Sequence, residues 1–243
     1  MINQKDLAQS TAKAYVDEGL RQYMLKVYNF MAGGLSITAL VAYMIANTAA
    51  IRLFFNISPA GQLLGMSGLG WLALLSPFAM IFAFGWALNR GTLAQVQAVF
   101  WGFSALMGAS LAPIFITYTS ASITRIFLIT AAMFGGMSIY GYASKKDLTA
   151  MGSFMMMGLW GIIIAMVVNF FLKSPGLYYA LSVLSVIIFT GLTAYDTQKI
   201  RTFYHQDSSG DIRSRMAIRG ALMLYMDFIN LFLALLRLFG DRR

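Results

Sequence analysis

The sequence contains no cysteine and a single histidine, His205. The absence of cysteine excludes disulfide bonds, thiolate metal sites and a cysteine nucleophile. We expect His205 to lie in a solvated loop, so a histidine metal site or a Ser–His dyad within apolar segments lacks its imidazole. These absences disfavour an enzyme and predict no resident cofactor.

Charge is also scarce, because only 11% of the 243 residues are charged and 59% are hydrophobic. A soluble domain carries about 25% charged residues. The mean hydropathy of +0.69 therefore predicts a polytopic membrane protein. The net charge of +9 is interpreted as a signal of membrane topology rather than of nucleic-acid binding.

The first 26 residues are polar and mixed in charge, and they contain no apolar core of a cleavable signal. We predict a cytoplasmic N-terminal tail over residues 1–26 and a transmembrane domain over residues 27–243. The tail could form an amphipathic helix that continues into the first span.

Seven apolar stretches are long enough to cross a bilayer as helices, which takes about 20 residues. The predicted fold is an all-α membrane protein with a seven-transmembrane-helix bundle. The predicted spans are Val27–Ala49, Leu69–Leu88, Ala94–Ile116, Ile123–Ala143, Ala150–Leu172, Leu177–Tyr195 and Ala217–Phe239. Short connections predict tight hairpins between spans three and four and between spans five and six.

Lysine and arginine predict the orientation, because cytoplasmic loops carry an excess of both. With the N-terminus inside, 11 of them fall on the cytoplasmic side and 4 on the other, when residues near span ends are left out. This predicts a cytoplasmic N-terminus and, with an odd number of spans, an exported C-terminus. The basic pair Arg242 and Arg243 at the C-terminus would favour the opposite side.

Small residues recur at a spacing that lets helices approach closely. One stripe comprises Ser104, Gly108 and Ala112, and another comprises Ala131 and Gly135. We interpret both as packing within one chain, with a dimer face as the alternative. Pro77 and Pro113 lie inside predicted spans and are expected to kink them.

Two acidic residues, Asp196 and Asp227, lie in the last third of the chain, at the end of span six and within span seven. An ionisable group at membrane depth costs free energy and marks a candidate functional site. Arg90, at the end of span two, is predicted to lie toward the same side. If the carboxyls meet, they tend to share one proton, and its loss creates two like charges that separate the helices or attract a cation. Arg90 could bridge the deprotonated state.

Less specific interpretations remain open for each of these residues. Asp196 and Arg90 could be ordinary residues of the membrane boundary, and Asp227 could form a buried hydrogen bond between helices. Tyr195, Tyr225 and Asn230 are nearby hydrogen-bond donors. A passage lined by carboxylates would suit Ca²⁺, which prefers oxygen ligands, so Asp196 and Asp227 are also candidate calcium contacts.

Several motifs together resemble the Bax inhibitor-1 family. They are Ala194-Tyr-Asp-Thr-Gln-Lys-Ile200, Leu224-Tyr-Met-Asp-Phe-Ile-Asn-Leu-Phe232, Ser144-Lys-Lys-Asp-Leu148 and Leu111-Ala-Pro-Ile114. The resemblance covers essentially the whole chain and points to the bacterial branch. It implies seven helices with the last helix central, and a pH-sensitive calcium leak of the inner membrane in which Asp196 and Asp227 form the latch and Arg90 matches the family arginine. An acidic residue found inside span two of some bacterial relatives is absent, since Ser76-Pro-Phe-Ala-Met80 is neutral.

The expected partners are therefore the lipid bilayer and the calcium ion. The alternative function is a non-transporting modulator of a membrane-bound protease or another helical membrane partner. An intramembrane aspartyl protease also uses two aspartates on neighbouring spans, but here Phe228 replaces the glycine that usually follows the second aspartate.

Overall fold

The computed structural model describes residues 4–58, 63–204 and 209–243, with the backbone alone at residues 4–17 and 63. Nine helices and a two-stranded antiparallel sheet make up the described chain. The helices are α1 (Gln4–Ala46), α2 (Ile51–Phe54), α3 (Gly68–Arg90), α4 (Leu93–Leu111), α5 (Ile114–Thr117), α6 (Ser120–Ala143), α7 (Thr149–Leu172), α8 (Pro175–Thr202) and α9 (Gly210–Phe239). The strands are β1 (Phe55–Ile57) and β2 (Leu63–Met66).

Seven segments of the described chain are long and apolar enough to cross a membrane, which confirms the predicted number of spans. The first of them begins at Glu18 rather than at Val27. The third of them consists of α4 and α5, separated by a short break. The last helix is central: α9 contacts α1, α4, α6 and α8, and 56% of its most apolar stretch is buried. In α7 the corresponding share is 6%, so α7 lies at the periphery, where most of its side chains face lipid.

The helices extend beyond their apolar cores because capping side chains lie outside those cores. Thr92 and Gln95 form a reciprocal capping box at the start of α4. Ser174 caps α8 next to Pro175, which suits the first turn of a helix. Ser209 caps α9, which begins at Gly210 rather than near residue 217. Helix α8 continues to Thr202 rather than ending near residue 195.

The two predicted hairpins have different outcomes. Helices α7 and α8 pack against each other, which confirms the hairpin of spans five and six. The prediction that spans three and four pack as a hairpin is wrong. Helix α4 packs chiefly against α1 and α3, whereas α6 packs against α8 and α9. An apolar crevice of about 270 Å³ lies between these groups, with Phe228 and Phe232 of α9 among its lining residues.

The prolines act in two different ways. Pro77 lies inside α3, where it interrupts the backbone hydrogen bonding of a continuous helix. Pro113 separates α4 from α5, because a proline at this position cannot continue the preceding helix. A small β-hairpin between the first two spans, with Phe55 opposite Met66, was not predicted from the sequence.

The two small-residue stripes also differ. Ser104, Gly108 and Ala112 are buried, and Thr38 of α1 donates a 2.8 Å hydrogen bond to the Ser104 carbonyl, so this stripe packs α4 against α1. The prediction of intramolecular packing is confirmed there. Ala131 is exposed, and a Cβ at Gly135 would meet no neighbouring atom, so the second stripe faces outward.

The C-terminal segment is fixed to the connection between α5 and α6. Arg125 forms a 2.9 Å ion pair with Asp241, and the Arg243 amide donates to the Thr117 carbonyl. Because seven spans separate the two ends of the chain, α1 begins on the opposite face of the bundle. We call the face that carries the α6–α7 connection and the end of α8 the basic face, from Lys145, Lys146 and Arg201.

We predict that Gly141→Ala destabilises the bundle by about 1–3 kcal/mol, the usual cost of overpacking. A methyl group at Gly141 would collide with the Ala194 backbone, which prevents α6 from lying this close to α8. Unfolding of the detergent-solubilised protein, followed by circular dichroism, measures the change. Gly136→Ala is the matched control, because a Cβ there meets open space on the same helix. Equal stability of the two variants would contradict the close α6–α8 contact.

Candidate functional site

The carboxyl groups of Asp196 and Asp227 lie between α8 and α9, close enough to interact directly. Asp227 is buried, with 5% of its surface exposed, and Asp196 is half-buried. Asp196 lies six residues before the end of α8, about 9 Å along the helix axis. We call these two side chains the carboxyl pair.

The burial of Asp227 constrains the protonation of the pair. No described N–H or O–H group bonds to its buried Oδ2 atom. Two ionised carboxylates so close would repel each other strongly in an environment of low dielectric constant. A single proton held between the two groups would remove this repulsion and join α8 to α9.

The residue that follows Asp196 fixes α8 in place. Thr197 and Ser138 of α6 form a 3.0 Å hydroxyl hydrogen bond, and Ser138 forms another of 2.6 Å with Tyr28 of α1. This chain of three hydroxyl groups connects α8, α6 and α1 beside the carboxyl pair. In the sequence these residues are separated by tens of positions, so no local pattern indicated the chain.

A second polar contact fixes α9 close to Asp227. The Tyr225 hydroxyl lies 2.6 Å from the Thr38 hydroxyl of α1, and Tyr225 is fully buried. Of the three donors suggested from the sequence, Tyr225 therefore bonds to α1, and Asn230 donates to the Met226 carbonyl of its own helix. Tyr195 faces Gly152 of α7 instead.

Aromatic rings close the apolar side of the pair. The ring of Phe228, next to Asp227, packs edge-on against Phe127 and Phe134 of α6, at centroid distances of 5.4 and 5.5 Å. Further along α9, Leu231 and Leu235 are buried as well. The pair thus lies between polar side chains toward the basic face and tightly packed apolar side chains on its other side.

Known proteins match this chain over almost its whole length. The family described as "Inhibitor of apoptosis-promoting Bax1" matches residues 20–243. The chain belongs to the Bax inhibitor-1 family. Among its relatives are an uncharacterized protein of Rickettsia prowazekii, 41% identical over 98% of both chains, and the inner membrane protein YbhL of Escherichia coli, 43% identical over 93% of this chain and 94% of that protein. Another relative, from Caulobacter vibrioides, is 42% identical over 94% of this chain and 92% of its own length.

Arg90, the third residue that the Bax inhibitor-1 resemblance singled out, is not at the pair. It is the last residue of α3 and is exposed, and it forms no ion pair with any acid in the described ranges. Helix α8 extends past residue 195, so Asp196 lies almost two turns inside its helix, whereas Arg90 lies at a helix end. The expected position of Arg90 on the same side as the pair stays a prediction.

Lys199 is a cation that sequence reasoning did not assign to the site. It lies one turn after Asp196 on α8, close enough for its charge to act on that carboxyl group. Its ammonium group also lies 5.4 Å from the centre of the Tyr195 ring. The i, i+3 spacing was visible in the sequence, but only a helix that continues past residue 195 places Lys199 beside Asp196. His205, the expected loop residue, lies outside the described residues.

We predict that infrared spectroscopy detects a protonated carboxyl group that is lost when the pH rises and the shared proton dissociates. Asp196→Asn and Asp227→Asn should each abolish this band, because the remaining carboxylate then accepts an amide N–H instead. Asp147→Asn is the control, since Asp147 is fully exposed and accepts a 2.9 Å hydrogen bond from the Thr149 amide. A band that is insensitive to both pair variants would contradict proton sharing.

Proposed function

We propose that this protein is a slow, pH-sensitive calcium leak channel of the bacterial inner membrane, gated by the carboxyl pair of Asp196 and Asp227. The observation that carries the proposal is the meeting of two carboxyl groups, one of them buried, on two membrane-crossing helices. Keeping such groups inside a bundle costs free energy, so their presence indicates a function. The match to an inner membrane protein supports the location.

In this proposal the shared proton holds α8 against α9 and the passage is closed. When the pH rises on the side of the basic face, the proton leaves, and repulsion between the two carboxylates weakens the contact between the helices. Buried Phe228 and Leu231 close the route toward the other face, so the described conformation corresponds to the closed state. Opening then requires α9 to move relative to α6 and α8.

The same carboxylates are suited to the transported ion. Ca²⁺ binds six to eight oxygen atoms and prefers carboxylates. The described residues contain no cluster of three or more metal-ligating side chains, so water must complete the shell around an ion at the pair. Such incomplete coordination favours passage over retention, because an ion in transit must bind weakly enough to leave.

The proposed orientation places the N-terminus and the basic face in the cytoplasm. Lys145, Lys146 and Arg201 lie on this face, in agreement with the enrichment of basic residues in cytoplasmic loops. The pair would then respond to cytoplasmic pH. Arg90 belongs to the proposal only as a cation that reaches the deprotonated pair after a rearrangement, and this role stays a prediction.

Calcium flux in proteoliposomes tests the latch. Wild-type flux should rise with pH on the side of the basic face, and Asp227→Asn should lower the high-pH flux about tenfold and remove its pH dependence. Tenfold corresponds to about 1.4 kcal/mol, close to the lower end for a hydrogen bond to a charged group. Asp147→Asn should behave as wild type. An Asp227→Asn variant with unchanged flux and pH response would exclude the latch.

The alternative is a non-transporting modulator of a membrane-bound protease or another helical partner. The observation that favours it is the continuous helix α1, which begins at Gln4, fourteen residues before the apolar span that starts at Glu18. Glu18 and Arg21 at this junction are exposed and form a 3.2 Å ion pair with each other.

Deletion of residues 1–21 separates the two functions. A channel gated by the carboxyl pair should keep its calcium flux and its pH response, because the pair and its hydroxyl contacts all lie after residue 21. A modulator should lose partner binding, which co-purification from membranes would measure. Loss of flux with retained folding would contradict the channel mechanism as stated.

A further inference from the structure

A cleft of about 580 Å³ opens on the basic face, between the α6–α7 connection and the last two turns of α8. Four basic residues line it: Lys145, Lys146, Lys199 and Arg201. A single acidic residue, Asp147, is among its lining residues. We call this feature the basic cleft. It is separate from the carboxyl pair, although Lys199 lies close to both.

The positive charge of the cleft is not neutralised by the acids of the described residues. The ion pairs of the described residues join Arg21 to Glu18 and Arg125 to Asp241. Neither pair involves a residue of the cleft. Hydrogen bonds from Thr149 lower the pKa of Asp147, which therefore stays ionised, but its carboxylate accepts the Thr149 amide N–H. Lys199 also lies close to Asp196, so four cations stand against the exposed Asp147 and the half-buried Asp196. This excess of positive charge attracts an anion.

The cleft is held in shape by contacts within the chain. The Gln198 side chain donates to the Lys146 carbonyl at 2.8 Å and accepts from the Leu148 amide at 2.8 Å, so it fixes the connection onto α8. Arg201 donates to the Tyr142 carbonyl and lies over the Tyr142 ring. Two of the cations are thereby positioned by aromatic rings, since Lys199 lies over Tyr195.

The cleft also borders the lipid. Helices α6 and α7 each pack against α8, and α7 is the most exposed of the spans. Its side chains Met157 and Trp160 are 66% and 63% exposed, and Tyr142 beside the cleft is 37% exposed. A molecule with its acyl chains along α7 therefore reaches the cleft with its headgroup, at the depth where tyrosine commonly lies in membranes.

We propose that the basic cleft binds the phosphate group of an anionic phospholipid headgroup. Lysine and arginine are the side chains that bind phosphate, arginine through paired N–H donors and lysine as a point charge. The acyl chains of the same lipid would cover the exposed surface of α7. A free phosphate compound carries the same recognised group, so the test must separate the two sources.

The probe is phosphatidylglycerol, offered with an equal amount of phosphatidylcholine to the full-length protein in detergent, and native mass spectrometry measures the bound ratio. Wild type should prefer phosphatidylglycerol. Replacing Lys145 and Lys146 together by Gln should lower the preference about 25-fold, since each basic residue near an anionic surface contributes about fivefold. Replacing both by Arg should preserve it, because the charge is kept.

Lys173→Gln is the matched control, because this lysine ends α7 on the opposite face. An equal loss in that variant, or a wild type without any preference, would overturn the proposal. A second arm titrates wild type with inorganic phosphate in phosphatidylcholine nanodiscs. Saturable phosphate binding without a preference for phosphatidylglycerol would overturn the lipid assignment and assign the cleft to a free phosphate compound. Unchanged circular dichroism of the Gln variant excludes loss of folding as the cause.

Discussion

A carboxyl group enclosed between membrane-crossing helices has no bulk water to solvate its charge, and this constraint governs the architecture. Asp227 satisfies it by lying on the most buried helix, with 5% of its surface exposed and the carboxyl group of Asp196 facing it. On a peripheral helix such as α7 the same residue would face lipid, where its charge is costly. The bundle can therefore accommodate Asp227 because α9 lies at its centre.

The surroundings of the carboxyl pair restrict how the bundle can respond to a change of protonation. Hydroxyl contacts through Thr197 and Tyr225 connect α8 and α9 to α1, while Phe228 packs against rings of α6. Most of the side chains in these contacts do not change charge between pH 5 and 8. In the proposed latch, the interaction between the two carboxyl groups is the one that changes sign, from attraction through a shared proton to repulsion, so one proton would shift the balance between two packings.

The basic side chains occupy three different positions relative to the carboxyl pair. Arg90 stays at a helix end, Lys199 lies beside Asp196, and Lys145 and Lys146 line the basic cleft without a carboxylate partner of their own among the described residues. Among the cations that the structure describes, Lys199 lies close to both the carboxyl pair and the cleft. This position would let an anion in the cleft compete with Asp196 for the same ammonium group.

The sequence by itself determined the seven spans, the two aspartates and the membrane class, because each depends on local composition or on the high cost of charge in lipid. It could not determine that α4 and α6 lie apart, that α8 continues past residue 195, or that Arg90 forms no ion pair with a described acid. Those outcomes depend on which helices become neighbours and on capping residues outside the apolar cores. The length of an apolar stretch shows that a helix can cross the membrane, but the partner of each helix is decided by close contacts, such as Gly141 against Ala194, between residues far apart in the chain.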